Sequence, residues 1–243
     1  MIDKSNWPLS WISYDRLLEI CEQLIKEATP KHKGLKFNNT VDPFSALFDM
    51  TVSHISFDEW ERTEIRRQDQ KTLQNAIGKF HQMVLGSVQG WQDLGVGGDT
   101  IFDLKNDDRK IVAEIKNKFN TVKASERYLI YENFATWRGA EKKNREYIGY
   151  YVQILVNKPQ FDRPFTPTDH TKAGNKLTEN QSIREIDGRS FYALVTGSPT
   201  AFDDLYHVLP DVLYWATRGE LDAKQVKQHP LFEDLIAKTH IEK

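Results

Sequence analysis

Residues 103–121 read DLKNDDRKIVAEIKNKFNT. Thr100–Lys105 and Lys110–Lys116 are two short β-like runs, and the turn formers Asn106-Asp107-Asp108-Arg109 between them predict a hairpin. The second run is apolar at Ile111, Val112, Ala113 and Ile115, which marks it as a central, buried strand, yet Glu114 and Lys116 sit inside it. Side chains two apart on a strand share a face, so this carboxylate and ammonium emerge side by side. Burying two charges is costly unless they are paired or bind a metal. If the four-residue turn sets Lys105 opposite Lys110, Asp103 faces Val112 and lies diagonal to Glu114, at about 7–8 Å between Cα atoms. Two carboxylates across that gap can share one Mg2+, whose oxygen ligands sit at about 2.0–2.1 Å. A hard cation there lowers the pKa of a bound water and screens a phosphodiester. Lys116 beside it can stabilise developing negative charge or help activate the nucleophile. The plain alternative is a surface hairpin with an exposed Glu–Lys pair, and the apolar company of Glu114 speaks against it. Asp99, after Gly97-Gly98, also precedes a strand and is the alternative first ligand.

Working outward, the N-terminal third is helical. Leu17, Leu18, Cys21, Leu24 and Ile25 share one face of a helix predicted over Tyr14–Ala28 and stopped by Pro30. Asp42-Pro43 is a cap and first-turn pair for a second helix through Phe44, Leu47 and Phe48. Ser56 and Glu59 form a capping box ahead of a long third helix ending near Gly86. These helices are expected to pack on the sheet that follows. Five glycines between Gly86 and Gly98 then break the helical pattern. Beyond the hairpin, a helix from about Ala124 to Glu146 leads to a strand at Gly149–Val156. Residues 157–188 read as a long surface excursion, Ser190–Thr196 as another buried strand, and Pro199 as the start of a final helix kinked at Pro210.

The chain has 243 residues, 39% hydrophobic and 28% charged, which suits one globular α/β domain and excludes fibrous or wholly disordered classes. The start, MIDKSNWPLSW, shows no cationic region followed by an apolar one, and the longest apolar run, Ile148–Val156, is too short to cross a bilayer. Cys21 is the single cysteine, so no internal disulfide forms, and its helical setting makes it a core residue. A cytoplasmic protein is expected. The net charge of −2 is unevenly spread: residues 105–145 carry 11 Lys and Arg against 6 Asp and Glu, leaving 22 against 29 elsewhere. A cationic middle with acidic flanks fits a phosphate-binding surface, or a run of solvated helix faces.

The segment resembles the PD-(D/E)xK nuclease superfamily, with Phe102-Asp103 where the name's Pro-Asp would stand. The ending Glu114-Ile-Lys116-Asn-Lys-Phe-Asn120-Thr121 resembles the active-site stretch of type II restriction endonucleases. Ile77-Gly78-Lys79-Phe80-His81-Gln82 through Gly90-Trp91 and Gly97-Gly98 is similar to the subgroup that cuts GGNCC and related sites. The resemblance covers roughly residues 12–215 and is strongest over 73–125. It implies an αβββαβ core with a mixed central sheet, taking 100–105, 110–116 and 149–156 as the first three strands and 190–196 as the fourth. The organisation expected is a single domain over 1–243, with a helical flank at 1–90 and a catalytic core at 95–200 containing a recognition loop at about 157–189. The activity implied is Mg2+-dependent cleavage of both strands of a short GC-rich palindrome, with Mn2+ as a substitute, by a homodimer whose host carries a cognate DNA methyltransferase. Rival readings are a structure-specific or repair nuclease of the same superfamily and a non-catalytic DNA-binding protein.

Other polar residues are candidates for DNA contact. Asn117 and Lys118 extend the catalytic strand, and Asn120 and Thr121 end it. Arg138, Lys142, Lys143 and Arg145 cluster on a helical stretch suited to phosphates, or to plain solvation. Arg163, His170, Lys172, Lys176, Arg184 and Arg189 lie in or beside the polar excursion, where they could read base edges. His81 reads as a helix-packing histidine, and Glu59, Glu61 and Glu64 as solvated residues that could lend a carboxylate to a metal.

Overall fold

Three helices precede the sheet, and each starts where the sequence supplies a cap. In the computed structural model, helix α1 (Tyr14–Ala28) opens with Ser13 accepting from the Arg16 N–H, and α2 (Pro43–Ser53) with Asp42 accepting from the Phe44 N–H. Helix α3 (Phe57–Gly86) opens with the reciprocal Ser56–Glu59 capping box. The structure describes residues 1–29, 34–35, 41–95, 101–118, 122–157, 160–169 and 175–238. Asp99, Asn120, Thr121, His170 and Lys172 lie outside them. Among the described residues no helix is long and apolar enough to cross a membrane.

The sheet has six strands in the order β1-β2-β3-β4-β6-β5. These are β1 (Gln92–Asp93), β2 (Leu104–Asn106), β3 (Ile111–Lys118), β4 (Ile148–Leu155), β5 (Asp162–Pro164) and β6 (Ile183–Asp187). Strands β1, β2 and β3 pair antiparallel. β3–β4 and β4–β6 are parallel, and β5 returns antiparallel at the edge. Helix α4 (Ala124–Ala140) makes the crossover from β3 to β4, as a parallel pair requires. The chain closes with α5 (Gly188–Thr196), α6 (Ala201–Ala216), α7 (Ala223–Gln228) and α8 (Pro230–Lys238).

The αβββαβ core is therefore α3, β1, β2, β3, α4 and β4, which corrects the strand count read from the sequence. Gln92–Asp93 is the first strand, and Ile148–Leu155 is the fourth rather than the third. Residues 190–196 are not a strand. Asp187 caps the start of α5 through the Ser190 N–H, and Gly197, at φ +77°, ends it in the left-handed conformation. Those two caps outweigh the β-like run of Phe191, Tyr192 and Val195, which instead forms the buried stripe of a helix. The 157–188 excursion is partly ordered sheet, since β5 and β6 lie within it and Phe165 is fully buried. Pro210 sits inside α6 without ending it.

Alternate residues of the strands feed two cores. Leu104, Ile111, Ala113, Ile115, Tyr150, Val152, Ile154 and Ile186 pack with α1, α3, α5 and α6. Val112, Tyr151 and Ile183 face the other way, toward Ile130, Tyr131 and Phe134 of α4. Helix α2 does not reach either core: Phe44, Leu47, Phe48 and Val52 are exposed, against the expectation that it packs on the sheet.

Helix α4 comes close to β4 because position 149 lacks a side chain. A Cβ on Gly149 would stand 2.4 Å from the Phe134 ring, which is itself fully buried. Gly149→Ala is expected to cost about 1–3 kcal/mol, the usual range for overpacking, read as a lower denaturation midpoint. An unchanged midpoint would mean that α4 is loosely seated.

Candidate active site

The hairpin that brings the acidic residues together is shifted by one residue from the sequence expectation. Lys105 pairs with Val112 and Leu104 with Ala113, so the loop is 107–110 rather than 106–109. Asn106 is buried, its Oδ1 accepts from the Arg109 N–H at 2.8 Å, and Lys110 closes the turn at φ +53°. The paired register ends at Leu104, and beyond it the Asp103 N–H reaches Ala113 O, so Asp103 lies beside Glu114 rather than opposite Val112.

Several bonds fix Asp103. Its N–H donates to Ala113 O and its carbonyl accepts from the Leu94 N–H, both at 2.9 Å. Gln82 Nε2 of α3 also donates to that carbonyl at 3.3 Å, and the Ile115 N–H donates to Asp103 Oδ2 at 2.6 Å. The chain leaves the ladder at Phe102, whose ring stacks on Phe134 (centroids 4.7 Å apart, planes 8° apart) and meets Trp137 edge-on. Glu114 and Lys116 rise two residues apart, with Nζ 2.9 Å from Glu114 Oε1.

Electrostatics shows what this arrangement lacks. Burial raises Asp103 above the ordinary aspartate value, against the Ile115 hydrogen bond and the Lys116 charge. Burial and the facing Asp103 charge push Glu114 up to about 7, with Lys116 pulling the other way. Burial draws Lys116 down, yet Glu114 and Asp103 leave it raised, so it stays an ammonium. Two half-buried carboxylates destabilise one another as anions, and a cation between them removes the conflict. The donors are hard oxygens, which suit Mg2+. Among the described residues no cluster of three or more His, Cys, Asp or Glu is placed to hold a metal, so two carboxylates would leave several coordination positions to water and phosphate. A bound divalent ion would supply a more acidic water and screen phosphate charge. Lys116, held protonated, can stabilise negative charge beside that water.

The other candidates scatter. Lys118 shares the face of Glu114 and Lys116, whereas Asn117 points to the opposite face and lines an apolar cleft of about 680 Å3 between α1, α3, α6 and α8. His81 lines the same cleft, bonds Tyr192 OH through Nδ1 at 2.8 Å, and is drawn down to about 4 by burial, a neutral packing group as expected. Arg138 donates to the Tyr147 and Arg145 carbonyls, 2.8 and 2.7 Å away. With Lys142 and Lys143 it lies at the far end of α4 from Glu114. Arg184 pairs with Asp162 and Arg189 with Asp203, both on the side of the sheet away from Glu114. Lys176 is exposed and bridges to Thr168. Glu59 serves its own helix cap and Glu64 pairs with Arg67. Arg163 does reach the catalytic face.

Four residues there escaped the sequence reading. Gln153 is the β4 partner of Lys116, and Tyr151 that of Glu114. Next to Tyr151 on β6 stands buried Glu185, which accepts from Gln153 Nε2 (3.3 Å), Arg127 Nη2 (2.9 Å) and Arg163 Nε (2.7 Å). Glu185 carried the same signal as Glu114, a carboxylate between apolar strand neighbours, within residues taken for a loop.

An Asp and a Glu-x-Lys pair on adjacent strands of an αβββαβ mixed sheet define a nuclease core of the PD-(D/E)xK class. The family model for the Eco47II restriction endonuclease matches residues 9–216, and the chain belongs to that family. It is 39% identical over 212 residues to the type II restriction enzyme Eco47II of Escherichia coli, covering 84% of this chain and 86% of that protein. It is 31% identical over 217 residues to the type II restriction enzyme Sau96I of Staphylococcus aureus, covering 86% and 81%. The protein is a restriction endonuclease, an enzyme that acts on DNA.

The raised Glu114 value has a consequence for stability. An acid whose folded pKa is raised disfavours folding once ionised: the cost begins near the ordinary 4.5 and is complete above about 7. At pH 8 in EDTA, Glu114→Gln is expected to melt higher than the parent, by about 2–4 °C for each kcal/mol relieved. The gain should fade toward pH 4.5. Mg2+ should stabilise the parent and not the variant. A variant that melts lower at pH 8 would mean the Lys116 pair outweighs the repulsion.

Proposed function

We propose that this enzyme hydrolyses both strands of a GGNCC-like palindrome in the cytoplasm, as a Mg2+-dependent homodimer beside a cognate methyltransferase. The observation that carries the reading is Asp103 bonded to the Ala113 and Ile115 backbone on either side of Glu114, with Lys116 bonded to Glu114. Asp103 and Glu114 hold the ion, and Lys116 steadies charge on the phosphate. The specificity rests on the likeness of residues 77–98 to enzymes cutting such sites. The whole chain works as one domain, with the catalytic core and its DNA-reading segment in a single unit.

The dimer has two supports. One Asp/Glu/Lys set per chain serves one strand, and a twofold axis supplies the second set in antiparallel relation. Phe44, Leu47, Phe48 and Val52 also form one face of α2, continued by Phe57, each 60–76% exposed. Such a patch is on the order of 600 Å2 if an aromatic side chain offers about 150–250 Å2. That is at the upper end of the ~300–600 Å2 that the largest patch on a monomer reaches and near the ~800 Å2 per partner of a standard interface. A second copy of this chain is the occupant with the same uncharged surface to bury.

Digestion of a mapped plasmid with Mg2+ tests the reading: discrete bands at G·C-flanked palindromes are expected. Cutting only at branched substrates would favour a structure-specific nuclease, and no cutting a binding protein. Asp103→Asn, Glu114→Gln and Lys116→Ala should each remove most cleavage while retaining duplex binding. Ca2+ should support binding with little turnover. The pair Leu47→Asp and Phe48→Asp should give a monomer by mass in solution that nicks plasmid instead of linearising it. A parent that cuts both strands as a monomer would sink the dimer.

A further inference from the structure

Tyr151 is fully buried on the catalytic face of β4. On one side its strand neighbour is Glu114, and on the other Glu185. The Arg127 guanidinium lies 5.3 Å from its ring centroid and 5.0 Å from that of Phe165.

The row of charges on this face is polarised. Its β2–β3 end carries the two carboxylates with Lys116 bonded to Glu114, and its β4–β6 end carries Arg127 and Arg163 around Glu185. Glu185 takes only one nitrogen from each guanidinium. Both Nη atoms of Arg163 have no partner among the described residues. The side chains are 28% and 64% exposed, so both present donors outward from a buried anchor. Guanidinium donors held outward by a buried carboxylate are the chemistry of an anion site.

We propose that Arg127 and Arg163 grip a backbone phosphate of the DNA next to the one being cleaved, with Glu185 positioning both guanidiniums. The proposal rests on the nuclease reading of Asp103, Glu114 and Lys116 only for which phosphate is adjacent, since the grip itself is independent of base sequence. Glu185, buried between two cations, orients the guanidinium planes as a buried ion pair orients its members. Gln153 ties that carboxylate to the strand position beside Lys116, so the gripped phosphate and the cleaved one are held in fixed relation.

The test is equilibrium binding, with Ca2+ present, to a GGNCC-containing duplex and to a scrambled one over a range of salt. Arg127→Gln and Arg163→Gln are each expected to weaken both duplexes alike. If a phosphate contact is lost, the slope of log affinity on log salt becomes shallower by about 0.9. Glu185→Gln should weaken binding, with partial recovery in Glu185→Asp. Unchanged slopes in both arginine variants would overturn the site. Slopes that shift as expected in a protein that cuts no plasmid would keep the phosphate grip and reject the nuclease reading.

Discussion

Strand β3 is packed on both faces, and that constraint orders everything around it. Ile111, Ala113 and Ile115 must enter the core shared by α1, α3 and α5, while Val112 must enter the one under α4. With a side-chain period of two, a slip by one residue would send each set into the wrong core. Glu114 and Lys116 then fall on the α4 face beyond Val112, where cover thins toward the end of the strand and both side chains are only partly buried. The carboxylate and ammonium are dry enough to act strongly on one another and open enough to meet a substrate. Position along one strand sets both properties.

The polar layer beside it follows from the parallel pairing of β3 with β4 and of β4 with β6. Parallel neighbours in register bring Glu114, Tyr151 and Glu185 into one row and Lys116 and Gln153 into the next. Each strand contributes polar groups at the same height, so charges from residues 71 positions apart in the chain, 114 and 185, share one face. Glu185 tolerates its burial because three donors converge on it, as an ionised group in a dry site requires.

Much of this was legible in the sequence, for reasons that differ by element. Helices α1 and α3 carry caps and apolar periodicity within their own residues, and β3 advertises itself as a charged pair inside an apolar run. Strand β1 has two residues and no periodicity at all; it exists because β2 offers it an edge. Residues 190–196 were ambiguous, since a short apolar run fits strand or helix until Asp187 and Gly197 are recognised as its caps. The hairpin register turned on Lys110 adopting a left-handed conformation, which a lysine rarely signals. Arg184 and Arg189 looked like base readers because pairing partners such as Asp162 and Asp203 become visible only in three dimensions. Arg127, Tyr151 and Gln153 carried no spacing signal, because what unites them is lateral register between strands.

Phe102 takes the place before Asp103 where the superfamily's name has proline. A proline would restrict the backbone there by its own ring. Here the restriction comes from a stack against Phe134, a residue of α4 and not of the hairpin. The backbone entering Asp103 is thereby steadied by a neighbouring helix, while the carboxylate itself is held from within the sheet by the Ile115 N–H. Partial opening of α4, a smaller excursion than global unfolding, would unfasten the ring and leave that one bond to aim the carboxylate.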